Sequence, residues 1–78
     1  MLLADGFEDA FIGSGRSWQA GGDVAIYNRE TCIEIIMRDG CSYEEAEEFF
    51  EFNVAGSYVG EQTPIFIDVH GIDEIEGE

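Results

Sequence analysis

The stretch Ser42–Phe52, SYEEAEEFFEF, admits one regular structure and requires something to cover it. Ser42 followed three residues later by Glu45 fits a capping box. In that motif the hydroxyl takes a free backbone N–H while the carboxylate reaches back to the cap. On a helix from Tyr43 to about Val54, the residues Tyr43, Ala46, Phe49, Phe50 and Val54 fall on one continuous face. Glu44, Glu45, Glu47, Glu48 and Glu51 fall on the opposite one. Phe52 lies near the boundary and is the ring expected to be partly exposed. A stripe with that many rings is stable only against a second layer, so the remaining elements must supply one.

The segment before it offers a second helix. Asn28 reads as an N-cap, its side-chain oxygen placed to accept a backbone N–H. Through RETCIEIIMR, Cys32, Ile33, Ile35, Ile36 and Met37 gather on one side. Glu30, Thr31, Glu34 and Arg38 fall on the other, and Glu34 precedes Arg38 by four, a favourable ion-pair spacing. RDGCS breaks this helix and begins the next. Nearer the N-terminus, Leu3, Phe7 and Phe11 stand four apart, which predicts a short helix over Asp5–Ile12 stopped by Gly13 and Gly15.

Strands follow from alternation. DVAIYN puts Val24 and Ile26 on one face, and RSWQAGG before it reads as a loop. In TPIFIDV, Ile65, Ile67 and Val69 alternate with Phe66, Asp68 and His70, giving a half-buried strand that pairs with DVAIY. Pro64 suits a strand entry or an edge. The expected fold is α+β: a single domain over residues 1–70, with about three short helices packed on a two-stranded sheet. Its strands lie near 23–27 and 63–69, and residues 71–78 form an acidic flexible tail.

Charge narrows the function more than fold does. Eighteen Asp and Glu stand against three Arg and no Lys, for a formal net charge of −15. Such a field repels phosphate backbones and anionic lipid, which argues against direct nucleic-acid or membrane-surface binding. It attracts cationic partners such as the basic grooves of nucleic-acid-binding proteins. The 45% apolar composition and six Phe argue for a folded chain. At 78 residues the core is small, and a homodimer would bury further apolar area. The N-terminus MLLADGFEDA has no basic region or long apolar run, which argues against secretion or membrane spanning.

Catalytic and metal chemistry finds little to work with. His70 is the only histidine, DEIEGE lacks the spacing of a calcium loop, and no cofactor or metal ligand is assigned. Cys32 reads as a buried thiol within a helical pattern, and Cys41 as a turn residue, both reduced. Cys41 or Ser42 with a distant His70 makes no nucleophilic arrangement, so no catalytic residue is assigned and an enzyme is not expected. GSGR, residues 13–16, is the one local place for an anion: a glycine turn beside Arg16 can hold a phosphate on backbone N–H groups. NVAGSYVGEQTP, around Tyr58, could serve as a recognition loop, but cap chemistry favours a helix cap and strand entry there.

Two longer runs carry a resemblance. DGFEDAFIGSGR, followed by VAIYNRETCIEIIMRDGCSYEEAEEFFEFNVAGSYVGEQTPIF, resembles a group of short acidic hypothetical proteins of tailed bacteriophages and prophages. That group shares a DGF-D-A start and a SYEEA-E-F-FN--G--VG--TP pattern, and the resemblance runs from about Asp5 to Phe66. It implies a phage or prophage origin and action in the host bacterial cytoplasm, and it implies no activity.

Three functional readings stand at this point. One is an interaction protein whose glutamate face mimics nucleic acid and inhibits a basic host protein, as in anti-restriction or anti-CRISPR roles. Its contact residues would be Glu44, Glu45, Glu47, Glu48 and Glu51, with Arg16, Phe52 and Tyr58 as loop contacts. The second is a small-ligand protein that binds or sequesters a nucleotide signal at Arg16 and Tyr58. The third gives the acidity no role beyond solubility.

Overall fold

The protein is described here by a computed structural model covering residues 2–16, 22–57 and 63–70. It is a small α+β domain with two helices and a three-stranded sheet. Strand β1 spans Phe11–Arg16, β2 spans Asp23–Asn28 and β3 spans Ile65–Ile67. Helix α1 spans Arg29–Met37 and α2 spans Tyr43–Phe49. The order across the sheet is β1-β2-β3, with β1 antiparallel and β3 parallel to the central β2. Parallel neighbours need a long crossover, and α1 with α2 supplies it.

The N-terminal segment departs from the expected helix over Asp5–Ile12. Phe7 N–H bonds to the Ala4 carbonyl at 3.2 Å, closing a turn in which Gly6 takes φ +89°. That backbone conformation suits glycine and not a helix interior. A 3-10 turn, Glu8–Ala10, follows, and the chain then enters β1. The four-residue spacing of Leu3, Phe7 and Phe11 is incidental: Leu3 and Phe11 remain exposed, while Ala4 and Ala10 are buried. GSGR is therefore strand and not a helix-stopping turn. Gly15 suits its place there, since a Cβ at that position would come within 3.2 Å of Ile26 Cδ1.

The two central helices begin where expected. Asn28 accepts the Thr31 N–H at 3.3 Å. Ser42 accepts the Glu45 N–H at 3.2 Å while Glu45 accepts the Ser42 N–H at 3.0 Å, completing the capping box. Gly40, at φ +104°, makes the sharp turn between them. The helix expected to run on to Val54 does so in three steps. It is α-helical to Phe49, widens into a π-helical turn over Phe50–Val54, and tightens into a 3-10 turn over Ala55–Ser57.

The core lies between the helices and the inner face of the sheet. Ala25 and Tyr27 of β2, Cys32 and Ile33 of α1, and Ala46, Phe50 and Val54 are buried together. A line of rings crosses it. Phe11 meets Tyr27 edge-on at 5.5 Å, Tyr27 stacks on Phe66 at 5.6 Å, and Phe66 meets Phe50 edge-on at 5.0 Å. Such pairs add to the stabilisation from area burial alone. The inward residue of β3 is thus Phe66, and the strand is shorter than the 63–69 expected. Ile67 and Val69, expected to share a half-buried face, are exposed. With Phe66 inward, Ile67 points to the outer face, and Val69 lies past the end of the ladder with β2.

Arg38 pairs with Asp9 at 3.4 Å, bringing the end of α1 to the 3-10 turn, where the i,i+4 spacing had suggested Glu34. Among the described residues no helix is long and apolar enough to cross a membrane.

Candidate functional site: the acidic surface of α2

Along α2 each residue turns about 100° from the last, and the contacts divide the helix into four rows. Ala46, Phe50 and Val54 face the core. Tyr43, Glu47 and Glu51 face the start of α1. Glu45 and Phe49 line a groove on the other flank. Glu44 and Glu48 occupy the exposed outer ridge. The five glutamates expected on one face are thus spread over two flanks and a ridge. Tyr43 and Phe49, expected in the core, are both partly exposed.

Arg29 organises the first flank. Its guanidinium lies 2.8 Å from Glu47 and 3.2 Å from Glu51, with Glu30 at 3.7 Å and Asp68 at 3.6 Å. Carboxylates from α1, from α2 and its continuation, and from the end of β3 therefore meet on one cation. The guanidinium also stands 5.9 Å from the centre of the Phe50 ring, within cation–π reach. Its planar fork explains why arginine and not lysine occupies this place: it can serve several carboxylates and a ring at once. The Glu47 hydrogen bond, the largest influence, together with Glu51 and Asp68, holds Arg29 more firmly protonated than usual against the opposing effect of burial. The Tyr43 hydroxyl donates to Glu30 at 2.6 Å, and that bond raises the pKa of the phenol.

One positive charge against four negative ones leaves this cluster with a net charge of about −3, counting every carboxylate ionised. Sequence reasoning missed Arg29, Glu30 and Asp68. One signal was present: Arg29 is one of three cations and follows an N-cap, where the helix dipole disfavours positive charge. A cation there implies carboxylates brought from elsewhere in the fold.

The other proposed contacts are dispersed. Phe52 is 75% exposed, as its boundary position suggested. Arg16 is the last residue of β1, with Gly13 and Gly15 in the same strand, and its guanidinium lies 3.9 Å from the Asp23 carboxylate. The anion-holding turn read from GSGR is therefore not formed. Tyr58 lies outside the described residues, as do residues 71–78 of the acidic tail. Among the described residues no group of three or more His, Cys, Asp or Glu is arranged to hold a metal ion.

No family model, curated protein or solved structure matches this chain. Its functional reading therefore rests on its own residues and geometry.

Proposed function

We propose that this chain is an interaction protein that binds a basic host protein through acidic surface, occupying a groove that otherwise takes nucleic acid. The observation that carries the reading is the convergence of Glu30, Glu47, Glu51 and Asp68 on Arg29, beside the open ridge of Glu44 and Glu48. A surface acidic only for solubility needs no fixed arrangement of its carboxylates. Here a hydrogen-bonded cation holds several of them in place, so part of the ordering cost is met before binding. The net charge of −15 speeds encounter with a cationic groove and makes the complex sensitive to salt. The sequence resemblance adds a setting: a phage or prophage protein acting against a nucleic-acid-binding or defence factor in the host cytoplasm. Interference with restriction or CRISPR machinery is one form this would take.

The test is capture of bacterial lysate proteins on the immobilised chain at low and high salt. The reading expects nucleic-acid-binding proteins that elute at high salt and are lost when Glu44, Glu47, Glu48 and Glu51 are changed to Gln. Retention unchanged by those substitutions would leave the acidity with solubility as its role.

A further inference from the structure

The second flank of α2 carries a surface of different chemistry. Phe7, Ile35, Ile36, Cys41 and Phe49 line an open groove of about 510 Å³. Its lining comes from the N-terminal turn, the later part of α1 and the turn after it, and α2. Asp5, Asp39 and Glu45 stand among its lining residues as the charged ones. Phe49 is 49% exposed there, whereas the adjacent ring, Phe50, is buried in the core.

We infer that this groove seats a cationic amphipathic segment of the partner protein, apolar residues against Phe49 and Ile36 and basic ones against Asp5, Asp39 and Glu45. The inference deepens the proposed function and rests on its reading that the partner is basic. Charge complementarity selects the occupant. Among the described residues every charged one in the lining is acidic, so an anionic or neutral segment would leave these carboxylates without a counter-charge. A second copy of this chain would bring another −15 to the contact. The apolar lining, in turn, distinguishes this site from the Arg29 flank, where Glu47 and Glu51 offer charge. An amphipathic helix that lays one face in a groove presents apolar anchors at i, i+3, i+4 and i+7, and Phe7, Ile35, Ile36 and Phe49 supply apolar surface for them.

The test uses three fluorescent peptides of about four helical turns. One is built of leucine and lysine with the leucines on a single face, the second is its shuffled isomer, and the third is oligolysine with the same charge. Anisotropy titrations with the full chain should show the facial peptide binding about tenfold tighter than the shuffled one. Phe49→Ser should remove that preference and leave oligolysine binding unchanged. Alkylation of Cys41 with a bulky maleimide gives a second route to the same loss in the unmutated chain.

Equal binding of facial and shuffled peptides, or a preference that survives both changes, overturns the groove assignment. So does equally tight binding of a facial peptide with glutamine in place of lysine. Sedimentation of the chain as a dimer that Phe49→Ser dissociates would assign the groove to a second copy. If oligolysine binding depends on Glu44 and Glu48 while facial preference is absent, the groove inference fails and the acidic-surface reading stands. If no lysine peptide binds, both fail.

Discussion

The Arg29 guanidinium, at the first position of α1, lies 2.8 Å from the Glu47 carboxylate on α2. The Arg29 side chain is only 20% exposed, so this contact is better shielded from water than an ordinary surface ion pair. Removing the guanidinium leaves Glu30, Glu47, Glu51 and Asp68 facing one another without a counter-charge. Arg29→Ala should cost about 1–3 kcal/mol, read from the urea unfolding midpoint. The deficit should shrink as salt is added, because screening relieves the repulsion. Arg29→Lys should fall between the two, since it restores charge without the planar fork. An Arg29→Ala protein as stable as its parent at low salt would remove the cluster from the account of the fold.

The distribution of what could be read beforehand follows from range. The caps at Asn28 and Ser42 were legible because each is made by residues within three positions of one another. The burial of Ala46, Phe50 and Val54 was legible from helical period. Over Asp5–Ile12 three apolar residues at helical spacing favour a helix locally, but Gly6 turns the chain and pairing with β2 gives the next segment a different use for its backbone groups. The Arg29 cluster joins residues up to 39 positions apart (Arg29 to Asp68), and no local pattern encodes that meeting. Helical period alone puts Phe49 on the apolar face, and the packing of α1 against α2 shows that cover ends short of it.

The Ser42–Glu45 box makes a pH-dependent prediction. The Glu45 carboxylate accepts the Ser42 backbone N–H, and this bond, followed by the Ser42 side chain, lowers its pKa from the usual value. With the folded pKa below the unfolded one, its contribution is fully present above the unfolded value of about 4.3. It is lost as pH falls through the depressed folded value. The destabilisation caused by Glu45→Gln should therefore be largest near neutrality and diminish in acid, measured by chemical unfolding from about pH 6 to about pH 3. A cost that stays constant across that range would show that the carboxylate's charge contributes nothing. Ser42→Ala, which deletes the hydroxyl acceptor, should cost about 1 kcal/mol at neutral pH.

Tyr27 ties the N-terminal segment to the sheet. Its hydroxyl accepts the Ala4 N–H at 2.8 Å in the buried core, 23 positions away in sequence. Tyr27→Phe keeps the ring stacking on Phe66 and orphans one backbone donor. The expected loss is about 1–3 kcal/mol, the desolvation cost of an unpaired buried group. Hydrogen exchange should quicken at Ala4 and change little at Ile33 beyond the global loss, because Ala4 opens with its own segment. Uniform acceleration across the chain would instead make the N-terminal segment part of a single cooperative unit.

The two thiols should respond differently to the same reagent. Cys32 is fully buried, and burial pushes its pKa up to about 11. Cys41 is partly exposed on the groove wall, its thiol directed toward the Ile36 carbonyl at 3.7 Å. A disulfide reagent at neutral pH should titrate one thiol promptly in the native protein and both in denaturant. Slow reaction of Cys32 then measures opening of the core and should accelerate in Tyr27→Phe. The alkaline limb carries the matching sign. Between the ordinary thiol value of about 8.5 and the folded value of about 11, the unfolded chain loses a proton that the folded chain keeps. Stability therefore falls as pH rises through that window, and Cys32→Ala should flatten the decline. If the decline is equally steep without the Cys32 thiol, some other group governs alkaline unfolding. Prompt reaction of both thiols in the native chain would place Cys32 outside a closed core.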